Sequence, residues 1–400
     1  MQERPISSRF GRCMLTHWAL DPGITYLNHG TVGAPPRCVL QAQQDLRDEI
    51  ERQPSKFLLR ELSLAVAVGS SQGNQSRLRA ASDDVGRFLG ADGKDLVFVD
   101  NATTGVNVVL QSFHFHEGDE ILVLEQGYGA VRNAAIYAAR SRGATVRVLE
   151  LPDCIGGDDV VVESVEAAIG PRTRLAVVDH ITSDSALALP LAEIAARCRQ
   201  REVAVLADGA HAPGAVPVDI ESLGVDWYTG NLHKWAWAPR SSAVLWTNPD
   251  RQTSLHSTVI SWGLDQGFTQ EFDWPGTRDP TAHLAAPVGI ATMQKFGVSS
   301  VQRYNHELAW SAGQEMATHW GTTLLGPENM IGPMITVPLP GRLGSTREEA
   351  IKLRDALLFE DNIEVHLFSW KGQLRVRVSA QIYNEMSDVE RLIDAVDARL

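Results

Sequence analysis

Short apolar runs and amphipathic stretches alternate through the middle of this chain. The runs lie at 96–99, 121–124, 145–149, 175–178, 203–207 and 243–246. Between most of them stand segments with helical spacing, such as 128–140 and 191–201. The runs are apolar throughout rather than alternating, which suits strands covered on both faces. Strands that alternate with helices predict a mostly parallel sheet with helices on both sides, an α/β fold. In such sheets ligands sit beyond the carboxyl ends of the strands. From about residue 280 the pattern changes. A long helical stretch, 287–319, leads to a strand at 334–338. A helix follows, opened by Ser345 with Glu348 three residues on, a capping-box spacing. Strands at 364–367 and 374–379 and a terminal helix at 387–400 complete an α+β region. The expected organisation is a large α/β domain over 21–280 and a smaller α+β domain over 281–400, with residues 1–20 packed nearby or on a partner chain.

Composition narrows the function. The 400 residues carry a formal charge of −13 and no basic block, which gives a nucleic-acid role no electrostatic support. No window approaches the roughly 18–20 unbroken apolar residues of a membrane span. The N-terminus lacks the apolar core of a signal peptide, so the expected location is the cytoplasm. Cys13, Cys38, Cys154 and Cys198 stand far apart, without zinc-ligand or disulfide-scaffold spacing. No dinucleotide, P-loop or HExxH motif is present. Gly90-Ala91-Asp92-Gly93-Lys94 has the wrong glycine spacing for a P-loop and reads as a turn.

Three strand ends carry chemistry. Asp208 closes the run 203–207 and precedes Gly209-Ala210-His211; a carboxylate there needs a partner or a turn role. Lys234 lies in Gly230-Asn231-Leu232-His233-Lys234-Trp235, an aromatic and nearly chargeless setting in which burial makes an amine nucleophilic. After the first run, Asp100-Asn101-Ala102-Thr103-Thr104-Gly105 sets two hydroxyls and a glycine at a strand-to-helix turn. Such a turn cradles a phosphate or simply caps the helix. An acid for a ring nitrogen, an amine for a Schiff base and a phosphate cradle are the parts that pyridoxal 5′-phosphate (PLP) requires.

With these residues the chain resembles the fold-type I PLP enzymes of the class V aminotransferase group. Within it, the chain is most similar to isopenicillin N epimerase and its relatives. The resemblance runs from Tyr26-Leu27-Asn28-His29-Gly30 through Asp208–Gly214, 230–235 and Trp274-Pro275-Gly276-Thr277-Arg278-Asp279 to Arg377–Asn384. It implies a mostly parallel seven-stranded sheet. It also implies a Schiff base on Lys234, which then moves the substrate proton, and Asp208 paired with the pyridine nitrogen. His211 would lie near the cofactor's phenolic oxygen or the substrate. Thr103, Thr104, Asn231 and His233 would hold the phosphate, and Thr277 would reach the phosphate of the neighbouring subunit in a homodimer. Arg377 would clamp the substrate carboxylate, and Asn28, His29, Tyr128, Trp262 and Trp274 would wall the pocket. Many relatives stack a histidine on the ring where this chain has Gln126, so Tyr128 would supply the aromatic contact. Ser183 or His180 would face the cofactor, on a loop that usually carries glycine near Ala186.

The reaction stays open at this level. A persulfide-forming desulfurase needs a cysteine in the C-terminal half, and the last one here is Cys198. Epimerisation needs a second proton carrier besides Lys234, with Tyr128, His29 or a water as candidates. A C–S lyase fits the same residues, and so does an aminotransferase. A non-catalytic PLP-binding regulator is the reading from a different class. The expected substrate is a small amino-acid-type molecule, and the expected reaction is epimerase-like.

Overall fold

The computed structural model describes residues 10–64 and 75–400. Its strands, in chain order, are β1 (Thr25–Tyr26), β2 (Leu96–Val99), β3 (Glu120–Leu124), β4 (Thr145–Leu149), β5 (Thr173–Asp179), β6 (Ala204–Asp208), β7 (Trp227–Asn231), β8 (Ala243–Thr247), β9 (Met334–Pro338), β10 (Ile363–Glu364), β11 (His366–Trp370) and β12 (Gln373–Ser379). Seven of them form one sheet in the order β2-β8-β7-β6-β5-β3-β4. Only β8 runs against its neighbours; the pairs from β7 to β4 are all parallel. This is the mostly parallel α/β sheet that the alternation predicts.

The sheet is covered on both faces because successive side chains point to opposite sides. Val97, Val99, Val123, Val177 and Leu206 enter one apolar cluster with Val106 and Ala135, which come from helices Ala102–Ser112 and Gly129–Ser141. Phe98, Leu122, Val178 and Val205 enter another with Ile194 and Cys198 of helix Leu191–Gln200. Two strands depart from the reading of the sequence. β4 is an edge strand with Thr145, Arg147 and Val148 exposed, so its apolar residues are not doubly covered. β7 is fully buried between β6 and β8, although Trp227-Tyr228-Thr229-Gly230-Asn231 is not an apolar run.

Beyond residue 280 the differences are local. The stretch 287–319 is two helices, Ala286–Phe296 and Val298–Trp320, broken at Gly297, whose φ of +87° suits glycine. The capping box lies one residue further along than expected, on Thr346 and Glu349. The strand at 364–367 divides into β10 and β11, and the latter joins the antiparallel sheet β11-β12-β9. The N-terminal segment packs on this region: Gly11 N donates to Ile382 O at 2.8 Å, and the Phe10 ring meets Tyr304 edge-on at 5.3 Å. Residues 1–9 of the expected N-terminal contact lie outside the described residues. Among the described residues, no helix is long and apolar enough to cross a membrane.

Candidate active site

The carboxyl ends of β2, β5, β6 and β7 open onto one cavity of about 620 Å³. β2 leads into Asn101, the N-cap of helix Ala102–Ser112, whose side chain accepts from Thr104 N at 2.9 Å. Ala102 N donates to Asn231 Oδ1 at the tip of β7, at 2.8 Å. The helix start is thereby tied to a second strand. It can come that close because residue 105 is glycine: a Cβ there would stand 2.2 Å from Thr229 Oγ1. Thr103, Asn231 and His233 line the cavity around this helix start. The arrangement is a ready anion site, with backbone N–H groups and the positive end of the helix dipole. Thr104 does not line the cavity; its backbone N–H and hydroxyl are both taken up by Asn101, the capping role that competed with phosphate binding.

β5 and β6 end in register on two carboxylates, Asp179 and Asp208. Both are buried and both line the cavity. Burial raises both pKa values. The Asp208 charge pushes Asp179 well up, whereas Lys234 and the Ala210 N–H favour ionised Asp208. Among the described residues, the Asp208 carboxylate accepts one hydrogen bond, from Ala210 N at 3.1 Å, so a buried carboxylate faces the cavity short of donors.

Lys234 lies across from this carboxylate. The other five lysines, Lys56, Lys94, Lys295, Lys352 and Lys371, are exposed. Lys234 meets solvent only in part, on the cavity side, and burial and the Arg377 charge lower its amine to about 7 against the raising effect of Asp208. Its Nζ lies 3.0 Å from His211 Nε2, and burial keeps that imidazole neutral, so Nζ donates. Among the described residues, His211 Nδ1 is buried without a partner.

Arg377 closes the far wall. Its Nη1 donates to Ser183 O at 2.6 Å and its Nη2 to Thr31 Oγ1 at 2.9 Å. Thr31 Oγ1 in turn donates to Asn28 Oδ1 at 2.5 Å, and Asn28 Nδ2 donates to Glu364 Oε1 at 2.7 Å. Buried as it is, with a pKa lowered to about 10, the guanidinium stays charged at neutral pH. Its Nε has no partner among the described residues. A fixed fork of this kind suits a carboxylate.

Of the expected site residues, Thr103, Tyr128, Ser183, Asp208, His211, Asn231, His233, Lys234 and Arg377 share this cavity. Asn28 and His29 do not; both stand behind its wall. Asn28 steadies Thr31, as above. His29 is fully buried, its Nδ1 on Tyr383 Oη at 2.8 Å and its Nε2 on the Lys234 carbonyl at 2.9 Å, so it supports the lysine's backbone. Thr277 is exposed and outside the cavity, and its neighbour Arg278 pairs with Asp100 at 3.0 Å. Trp274 is buried in the core and Trp262 is exposed; neither lines the cavity. Gln126 is buried, accepting from Ser185 Oγ at 2.6 Å, and leaves the cavity wall to Tyr128. His180 is turned away too, bonded to Tyr228 Oη at 3.1 Å. Ala186 holds φ +61°, a conformation that favours glycine. Sequence reasoning missed Asp179, Thr31, Asp184 and His366, all on the wall. Asp179 alone left a signal, as the polar residue ending a buried run.

Comparison with known proteins agrees with this arrangement. The family model for aminotransferase class-V matches residues 68–392. A putative L-cysteine desulfhydrase 1 from Oryza sativa subsp. japonica is 34% identical, over 94% of this chain and 83% of its own length. The isopenicillin N epimerase of Streptomyces clavuligerus is 30% identical, over 95% of this chain and 96% of its own. Among solved structures, a C-DES mutant with glycine covalently linked to its PLP cofactor superposes with a TM-score of 0.77 at 21% identity, covering 93% of this chain and 96% of that one. The apo cysteine desulfurase of Thermococcus onnurineus NA1 gives a TM-score of 0.79 at 18% identity, covering 98% of each chain. The match over most of its length and the shared fold establish that this chain belongs to the class-V aminotransferase family.

Proposed function

We propose that this chain is a PLP-dependent enzyme that takes a proton from the α-carbon of an amino acid or amino-acid derivative and returns it, an epimerase-like reaction. One observation carries the reading: a single cavity holds a buried neutral-prone amine, an under-donated buried carboxylate and a fixed guanidinium. The residues fit PLP. Asp208 lacks the donor that a protonated pyridine nitrogen would supply, and the helix start at Thr103, with Asn231 and His233, suits the phosphate. When bound, PLP supplies an electron sink that acidifies the Cα–H bond.

The chain's own residues do the rest. Arg377 binds the carboxylate through the fork held by Thr31 and Ser183, and so fixes Cα. Lys234 Nζ moves the proton, since burial holds its amine close to neutral pH. His211 takes up one Nζ hydrogen and sets its direction. Water reaches this amine only through the cavity that substrate fills.

A second reading, a C–S lyase acting on a cysteine derivative, is supported by the 34% identity to a putative L-cysteine desulfhydrase. It needs no further residue. A persulfide-forming route is not supported: Cys198 is buried in the core with its thiol raised to about 12, and no cysteine lines the cavity.

The same reading assigns residues 21–280 to cofactor binding and 281–400 to the domain that delivers Arg377, in a cytoplasmic homodimer. The exposed apolar run Val259, Ile260, Trp262 and Leu264, close to Thr277 in sequence, supports a second copy as its cover. The test is a proton NMR time course in D₂O, with PLP-loaded protein and a panel of L-amino acids, α-aminoadipyl peptides and cysteine conjugates. Loss of the Cα proton with both hands appearing is the expected result. Pyruvate and ammonia from a cysteine conjugate would move the assignment to the lyase. No Cα exchange across the panel would overturn both.

A further inference from the structure

The wall beside Arg377 carries a pair that the account above leaves unused. His366 of β11 is the register partner of Arg377 on β12. Directly opposed residues of an antiparallel pair project to the same face, with Cβ atoms about 4.5–5.5 Å apart. Both side chains accordingly line the cavity. His366 Nε2 stands 3.6 Å from Asp184 Oδ1, and Asp184 lines the cavity too. The imidazole is stacked on Phe368 with centroids 5.3 Å apart and planes 23° apart, which fixes its plane. Asp184 faces one ring nitrogen and leaves Nδ1 for a second partner. Burial, with the Arg377 and Arg354 charges, outweighs Asp184 and holds the ring below its ordinary pKa.

Resting on the epimerase-like reading, we propose that His366, oriented by Asp184, is the second proton carrier of the site. Lys234 takes the proton from Cα on one face and becomes the ammonium. The His366 imidazolium gives its proton to the electron pair left at Cα on the other face. A new C–H bond forms there, and the imidazole is neutral again. Solvent carries a proton from the ammonium back to the imidazole, so no net proton is consumed. From the opposite hand the two residues exchange roles. His366 owes this access to its place opposite Arg377, the group that would clamp the carboxylate.

The test compares PLP-loaded wild-type protein with His366→Gln in D₂O, following Cα–H loss by NMR and handedness by chiral chromatography. The expected result is that inversion falls about 100-fold in the variant, while exchange of the Cα proton with retained configuration persists through Lys234. The absorbance of bound PLP reports that the variant is folded and loaded. A second measurement does not depend on turnover: the His366 ring resonance, titrated by NMR in the apoprotein, should move to a lower midpoint in Asp184→Asn, which removes the one neighbour that raises its pKa. Asp184→Asn should also slow inversion, by about tenfold. Inversion at the wild-type rate in His366→Gln would overturn the proposal while sparing the proposed function. Wild-type protein that exchanges without inverting, or does not exchange, would overturn the epimerase-like reading itself and this inference with it.

Discussion

The floor and the rim of the cavity are built differently. The floor is made of strand tips of the seven-stranded sheet, where Asp208 is only 3% exposed, and it is closed by Arg377 of β12 in the smaller sheet, 2% exposed. At the rim, Tyr128 is 49% exposed and stands at the start of a helix. On the floor, burial displaces nearly every titratable group: Lys234 down to about 7, His233 to about 4, Asp179 well up. These groups answer one another because little water screens them. The rim groups reach water and carry less of the chemistry each. The lesson is that reactivity here comes from where the sheet ends, and choice among reactions from the groups that the surrounding segments bring to its edge.

The comparison breaks most visibly at Lys234. Lys234→Ala should lower Cα-proton loss, followed by NMR in D₂O, by at least about 1,000-fold. A smaller loss would mean that a rim group can do the floor's work. Next is Arg377→Leu, which removes the buried clamp. Losing a buried charge-assisted contact costs about 2–5 kcal/mol, so KM should rise about 30-fold or more with PLP still bound. Arg377→Lys should recover little, because an ammonium cannot present the fork that Thr31 and Ser183 fix.

A pH measurement sharpens the same contrast. An amine adds to PLP in its neutral form, and Lys234 is lowered to about 7 by burial and Arg377. The rate of PLP uptake by apoprotein should therefore rise with pH through about 7 and then level off, as stopped-flow absorbance would record. Arg377→Leu removes a lowering cause and should move the midpoint up. Asp208→Asn removes the raising one and should move it down. The smallest effect is expected at the rim: Tyr128→Phe, at a half-exposed residue, should change PLP affinity by no more than about threefold by equilibrium titration.

Most of the cavity was legible in the sequence, Tyr128 at the rim included, and what was not has a physical reason. β2, β3, β5, β6 and β8 are nearly continuous apolar runs, and the residues at the ends of β2, β5 and β6 carry much of the site. β7 escaped because its burial comes from β6 and β8 on either side, not from its own composition. Asn28 and His29 stood out as motif residues, yet their segment runs beside β12 and β10 and serves behind the wall. His366 gave no local signal at all. Its place follows from pairing with Arg377 across a turn, and register of that kind is set by the whole sheet rather than by neighbouring residues.

The account stands on Lys234 as the amine that holds PLP. The direct measurement is borohydride reduction of PLP-loaded protein, followed by proteolysis and mass spectrometry of the peptides. The account predicts a phosphopyridoxyl group on the peptide containing Lys234, and on none of those containing the five exposed lysines. A label elsewhere, or unlabelled Lys234 in protein that retains bound PLP, would contradict it.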